Sequence, residues 1–155
     1  MAKPVVAVIE GDPAIALLMD ELLTEEGFQT HLWPERQGAA QFVRTLAPDL
    51  VILDLWLRER GDGRSVLEQL RQDRRTRSIP VIVCSGDTQM LQEQAATLRA
   101  DDCELLAKPF AVADLLALVK ARTAGALPGV VHVLPVPVRS PAPGRRGFRL
   151  AAVAH

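Results

Sequence analysis

Five short apolar runs, spaced by segments of helical period, decide what this 155-residue chain can fold into. The runs are "PVVAVIE" (4–10), "FQTHLW" (28–33), "LVILD" (50–54), "PVIVCS" (80–85) and "CELLA" (103–107). Each has the length of a strand, and all but the last have its β-branched or aromatic content. Three of them are apolar on both faces, and a strand without a polar face has to be covered on both sides, as in a parallel sheet. Between the runs, apolar residues recur at helical spacing. Ile15, Leu18, Met19, Leu22 and Leu23 form one stripe over 13–26, with Gly27 placed to stop the helix. Val112, Leu115, Leu116 and Val119 form another over 111–122, and helices are also predicted over 35–46, 63–75 and 88–99. Five βα units in succession predict an α/β fold, a doubly wound five-stranded parallel sheet with five helices.

Ligands of such sheets bind where the C-terminal ends of the strands meet a switch in strand order. The residues expected at those ends are Glu10, Asp54, Ser85 and, just past the fifth strand, Lys108. Two carboxylates, a hydroxyl and an ammonium, each from a separate strand end, are the parts of an acyl-phosphate site. That chemistry needs a carboxylate nucleophile, a divalent cation against the incoming phosphoryl charge, and donors for the phosphoryl oxygens. Asp54 ends a rigid apolar strand and is the natural nucleophile. Glu10 could help to hold Mg²⁺, which prefers oxygen ligands and keeps several waters. Ser85 could donate to one phosphoryl oxygen and Lys108 could pair with another. Taken singly, these residues have plainer roles, such as a loop acid, a capping serine and a solvated lysine. Their joint placement at strand ends is what sets them apart.

The pieces "VVAVIEGDPAIALLMDELLTEEGF", "PDLVILDLWL", "IPVIVCSG" and "LLAKPF" resemble, in order over residues 4–122, the receiver domains of bacterial two-component response regulators. The resemblance implies a flavodoxin-like receiver fold with Asp54 as phosphoacceptor, Ser85 as switch hydroxyl and Lys108 as phosphate-pairing lysine. It also implies Mg²⁺ held by Glu10, Asp54 and the main-chain carbonyl of Trp56, and a cis Lys108–Pro109 bond. A histidine kinase or phosphotransfer protein would be the phosphoryl source, and an unknown downstream protein would read the state.

Three departures from the family pattern stand out. Receivers carry two consecutive acids after the first strand, whereas here Glu10 is followed by Gly11. Asp12 reads as an N-cap before Pro13 at the first helical position, with a bend at Gly11 toward the cation as the alternative. Fewer carboxylates imply weaker Mg²⁺ binding. Leu105 stands where the family often has an aromatic residue. The loop "LRERGDG" after Asp54 is one residue longer than usual, with Arg58 in place of a common proline.

Composition sets the domain boundary. Residues 125–155 hold four arginines, no acid and five of the 11 prolines, so a net charge of −1 splits into +4 there and −5 before it. The expected division is a receiver domain over 1–124 and a Pro/Arg-containing extension over 125–155 with no domain of its own. That extension is too short and too proline-broken for a helix-turn-helix, and its arginines show no aromatic interleaving beyond Phe148, so nucleic acid is not an expected partner. No apolar stretch is long enough for a membrane span, and no secretory signal is evident, which points to the cytoplasm. Cys84 and Cys103 form no CxxC and read as buried free thiols, and the three histidines lack metal-ligand spacing.

The leading reading is a stand-alone receiver, a phosphoacceptor signalling domain rather than an enzyme, with room for a homodimer. The alternative is a phosphorylation-independent pseudo-receiver that works only as an interaction module. A haloacid-dehalogenase-type phosphatase ranks third, because Glu10 stands where its nucleophilic aspartate would be. A dinucleotide-binding domain is weaker still, as no GxGxxG follows the first strand.

Overall fold

The computed structural model describes residues 2–55 and 62–124. Five strands and five helices alternate along it: β1 (Val5–Ile9), α1 (Pro13–Glu25), β2 (Gln29–Trp33), α2 (Ala39–Leu46), β3 (Leu50–Asp54), α3 (Asp62–Gln72), β4 (Val81–Ser85), α4 (Thr88–Ala100), β5 (Cys103–Ala107) and α5 (Val112–Thr123). All strands pair in parallel in the order β2-β1-β3-β4-β5. The expected doubly wound five-stranded sheet is therefore the observed fold.

The period of two along each strand divides the core into two layers. Ala7, Ile9, Val51, Leu53, Val81 and Val83 face α2, α3 and α4, where Val43, Val66, Leu70, Leu91 and Leu98 meet them. Val6, Val8, Leu50, Ile52, Ile82 and Cys84 face α1 and α5, packing on Met19, Leu23, Leu115 and Val119. Every residue of β3 and β4 is buried, as their unbroken apolar runs require. Both cysteines are free and buried.

The helix ends follow local chemistry. Asp12 caps α1: its Oδ1 accepts from the N–H groups of Ala14 at 2.9 Å and Ile15 at 3.4 Å, and Pro13 needs no partner there. The same α1 ends at Gly27, whose φ of +92° is the left-handed region glycine favours. The helix expected over 35–46 begins only at Ala39. The Trp33 indole N–H donates to Gln37 O at 2.9 Å and its ring stacks on Phe42, so residues 34–38 form a turn around the tryptophan. Gly38 closes that turn at φ +77°, with Trp33 Cζ2 only 2.8 Å from where a Cβ would stand. The helix expected over 63–75 stops at Gln72, because Asp73 Oδ1 takes the Arg75 N–H and the Thr76 hydroxyl donates to Leu70 O at 2.7 Å.

Candidate functional site

The switch in strand order lies between β1 and β3: the chain leaves β1 toward α1 on one face and β3 toward α3 on the other. A cleft opens there at the C-terminal ends of the strands, lined among others by Glu10, Gly11, Asp12, Asp54, Asp87 and Lys108. Glu10 and Asp54 continue the residue parity that faces α1 and α5 along β1 and β3, so both carboxylates emerge on one side of the sheet.

Three of the expected site residues meet directly. The Lys108 ammonium donates to Glu10 Oε2 at 2.6 Å and stands 3.2 Å from Asp54 Oδ2. Glu10 and Asp54 are each 3% exposed, so this is a buried cluster of two carboxylates sharing one ammonium. The second Glu10 oxygen accepts the Asp12 N–H at 3.1 Å, and the Glu10 N–H donates to Trp33 O at 3.1 Å, which ties the acid to β2. Lys108 is aimed by its own main chain: its N–H donates to Ser85 O at 2.8 Å, and the following bond to Pro109 is cis.

The electrostatics follow from that sharing. Burial pushes the Glu10 carboxyl up to about 7, with the Asp54 carboxylate adding to the rise and Lys108 opposing it. Burial by itself would lower Lys108, but Glu10 and Asp54 outweigh it and raise the ammonium further. The lysine is charged throughout, and the second negative charge is the costly one. Burial also raises the Cys84 thiol, which keeps it inert beside the cluster.

Ser85 ends β4 and is fully buried. Its hydroxyl oxygen accepts the Asp87 N–H at 3.0 Å, which places it one residue from the cleft lining at Gly86. Asp87 was not foreseen as a site residue. Its Oδ1 caps α4 through the Met90 N–H at 3.0 Å, and the "SGD" after β4 was the sequence signal for that turn. Trp56, whose carbonyl was expected on the metal, lies outside the described residues, as do Arg58 and residues 125–155.

Residues 6–120 match the family model described as the response regulator receiver domain. The chain belongs to that family. Among curated proteins this receiver is similar to the DNA-binding dual master transcriptional regulator RpaA of Synechocystis sp., at 35% identity over 119 residues that cover 76% of this chain and 48% of RpaA. The chain spans about half the length of the curated relatives it matches. Among solved structures it is similar to a response regulator receiver domain from Methylobacillus flagellatus, with 26% identity and a TM-score of 0.67, covering 78% of this chain and 99% of that one. A receiver domain of a sensor histidine kinase from Pseudomonas aeruginosa, solved with a magnesium ion coordinated in its active site cleft, shares the fold at 20% identity and a TM-score of 0.68, over 79% and 99% of the two chains.

The donor chemistry of this receiver can be set against what Mg²⁺ needs. The ion is held through one or two carboxylates and keeps several waters. Glu10 and Asp54 meet that minimum in an open cleft, with one ammonium to offset two charges. Among the described residues, no group of three or more acidic, histidine or cysteine side chains converges anywhere. Asp12 lines the cleft, but its carboxylate is engaged as the α1 cap. No helix among the described residues is long and apolar enough to cross a membrane.

Proposed function

We propose that this receiver accepts a phosphoryl group on Asp54 and passes its altered state to another cytoplasmic protein by surface contacts. The observation that carries the reading is the Lys108 ammonium set between Glu10 and Asp54, at 2.6 and 3.2 Å, at the foot of an open cleft. An Asp54 carboxylate oxygen attacks the phosphorus of a phosphohistidine on a histidine kinase or phosphotransfer protein. The new O–P bond forms as the P–N bond breaks, and the electron pair returns to the imidazole. Lys108 then pairs with a phosphoryl oxygen, and the Ser85 hydroxyl donates to another. Glu10, Asp54 and the Trp56 carbonyl would hold Mg²⁺, which neutralises the charge that gathers on the phosphoryl group.

A pseudo-receiver that serves only as an interaction module is the second reading. It is favoured by Gly11, which stands in the cleft lining where the family pattern has a second acid beside Glu10. Intact-mass analysis after incubation with acetyl phosphate and Mg²⁺ separates the two. The phosphoacceptor reading expects an adduct in the wild type that is absent in Asp54→Asn. No adduct at high Mg²⁺, with ready labelling of Gly11→Asp, would assign the chain to the second class.

A further inference from the structure

The peptide joining Asp54 to Leu55 is gripped from two sides. On one, the Leu55 N–H donates to Cys84 O at 3.0 Å, continuing the β3–β4 ladder past the strand end. On the other, the first turn of α3 comes down onto the main chain, and the Gly63 N–H reaches Leu55 O at 3.4 Å. A Cβ on Gly63 would lie 2.4 Å from the Asp54 carbonyl oxygen, 2.5 Å from Leu55 Cα and 3.1 Å from the Asp54 carbonyl carbon. All three are backbone atoms, so no side-chain rotation relieves the contact. Gly38 differs, since the atoms nearest its Cβ position belong to a tryptophan ring. So does Gly86, where a Cβ would meet nothing within 4 Å.

We infer that Gly63 is a positioning residue for the phosphoacceptor, an inference that rests on the reading of Asp54 given above. The missing side chain lets α3 seat directly on the 54–55 peptide and holds Asp54 where its carboxylate meets Lys108. A methyl group at position 63 has two outlets. It lifts α3, or it pushes the Asp54 carbonyl toward β4 and turns the carboxylate away from Lys108 and Glu10. Displacement of a reacting group by about 1 Å can cost about a hundredfold in rate, so even a partial shift is visible in the chemistry. The residue touches no reacting atom itself; it acts through the backbone of the one that does.

The test uses the full chain, acetyl phosphate and Mg²⁺. The rate of adduct formation is followed by intact mass over a range of donor concentrations, with the Tm of each variant recorded. Gly63→Ala is expected to lower the maximal rate by about tenfold or more, with little change in the half-saturating donor concentration. Val66→Ala, a core truncation one turn along α3 that leaves the 54–55 peptide untouched, is the control for lost stability and should label at the wild-type rate. Wild-type labelling by Gly63→Ala overturns the inference, and so does an equal loss in Val66→Ala. If Gly63→Ala does not fold, the wild type carries the test by NMR: adding Mg²⁺ should shift the Gly63 amide together with those of Glu10 and Asp54. A silent Gly63 amide beside shifting ones overturns the inference. Failure of the wild type itself to label at Asp54 removes the phosphoacceptor reading and this inference with it, whereas a labelled wild type with an unimpaired Gly63→Ala removes the inference alone.

Discussion

At the scale of single residues, Glu10 departs far from its ordinary carboxylate chemistry. Its folded-state value of about 7 lies above the usual 4.5, so between those two pH values the folded chain binds more protons than the unfolded one. Stability from this group is therefore full below about pH 4.5 and is lost as pH rises to about 7, by ~3 kcal/mol from the size of the shift. The Lys108 rise has the same sign, since the folded chain again holds the proton more tightly, but it acts only far above this window. Glu10→Gln removes the titration while keeping the shape. In EDTA, wild-type Tm should fall between pH 5 and pH 8, and the variant should fall distinctly less. Parallel pH profiles would show that ionised Glu10 costs nothing where it sits. The identity of this acid was legible in the sequence because a carboxylate ending a buried strand demands a partner. Its raised value was not legible, since that depends on how two acids from different strands divide one ammonium.

At the scale of elements, β1, β3 and β4 were legible to within a residue because burial on both faces leaves an unbroken apolar run. Helix ends were less so, and the misses have local causes. The Trp33 turn delays α2, and the side chains of Asp73 and Thr76 end α3, neither of which an apolar stripe reports. The Asp12 cap was readable from "DPAI", and its bonds to Ala14 and Ile15 are those of an ordinary N-cap. Asp12→Ala should therefore cost about 1 kcal/mol in stability while leaving the half-saturating Mg²⁺ concentration close to wild type. A large loss of Mg²⁺ affinity would instead make Asp12 the replacement for the missing acid. Arg71 had no sequence signal at all. From the last turn of α3 its guanidinium donates to Asp101 O, Arg77 O and Ile79 O, at 2.9 to 3.1 Å, and so joins α3 to the turns entering β4 and β5. Arg71→Met keeps the aliphatic stem and removes three hydrogen bonds, two at exposed sites and one at the part-buried Ile79 O, so a loss of ~1–2 kcal/mol is expected in urea unfolding. A loss within error would mean that water replaces the guanidinium there.

At the scale of the whole molecule, one end of the sheet carries the acidic cleft and the two core layers hold it in place, so binding there and global stability are linked. A cation that binds only the folded state stabilises it by RT ln(1 + [L]/Kd), ~2.7 kcal/mol at a hundredfold excess over Kd. At about 3–5 °C per kcal/mol for a domain of this size, that is a rise of roughly 8–13 °C in Tm. The cluster of two carboxylates and one ammonium makes the rise depend on pH. A proton on Glu10 competes with Mg²⁺, so the same Mg²⁺ concentration should raise Tm more at pH 8 than at pH 6. Gly11→Asp adds a carboxylate to the cleft lining, next to Glu10. Without a metal, the extra charge sits near two buried acids that already share one ammonium, so the variant should melt below the wild type in EDTA. With Mg²⁺ the same charge becomes an attraction, so its Tm should climb at lower Mg²⁺ and cross the wild-type curve. The crossing is the diagnostic, because a merely destabilising substitution shifts the whole curve down without moving its midpoint. Curves that stay parallel would mean that position 11 does not face the cation, and that the loss of the second acid leaves metal binding unchanged.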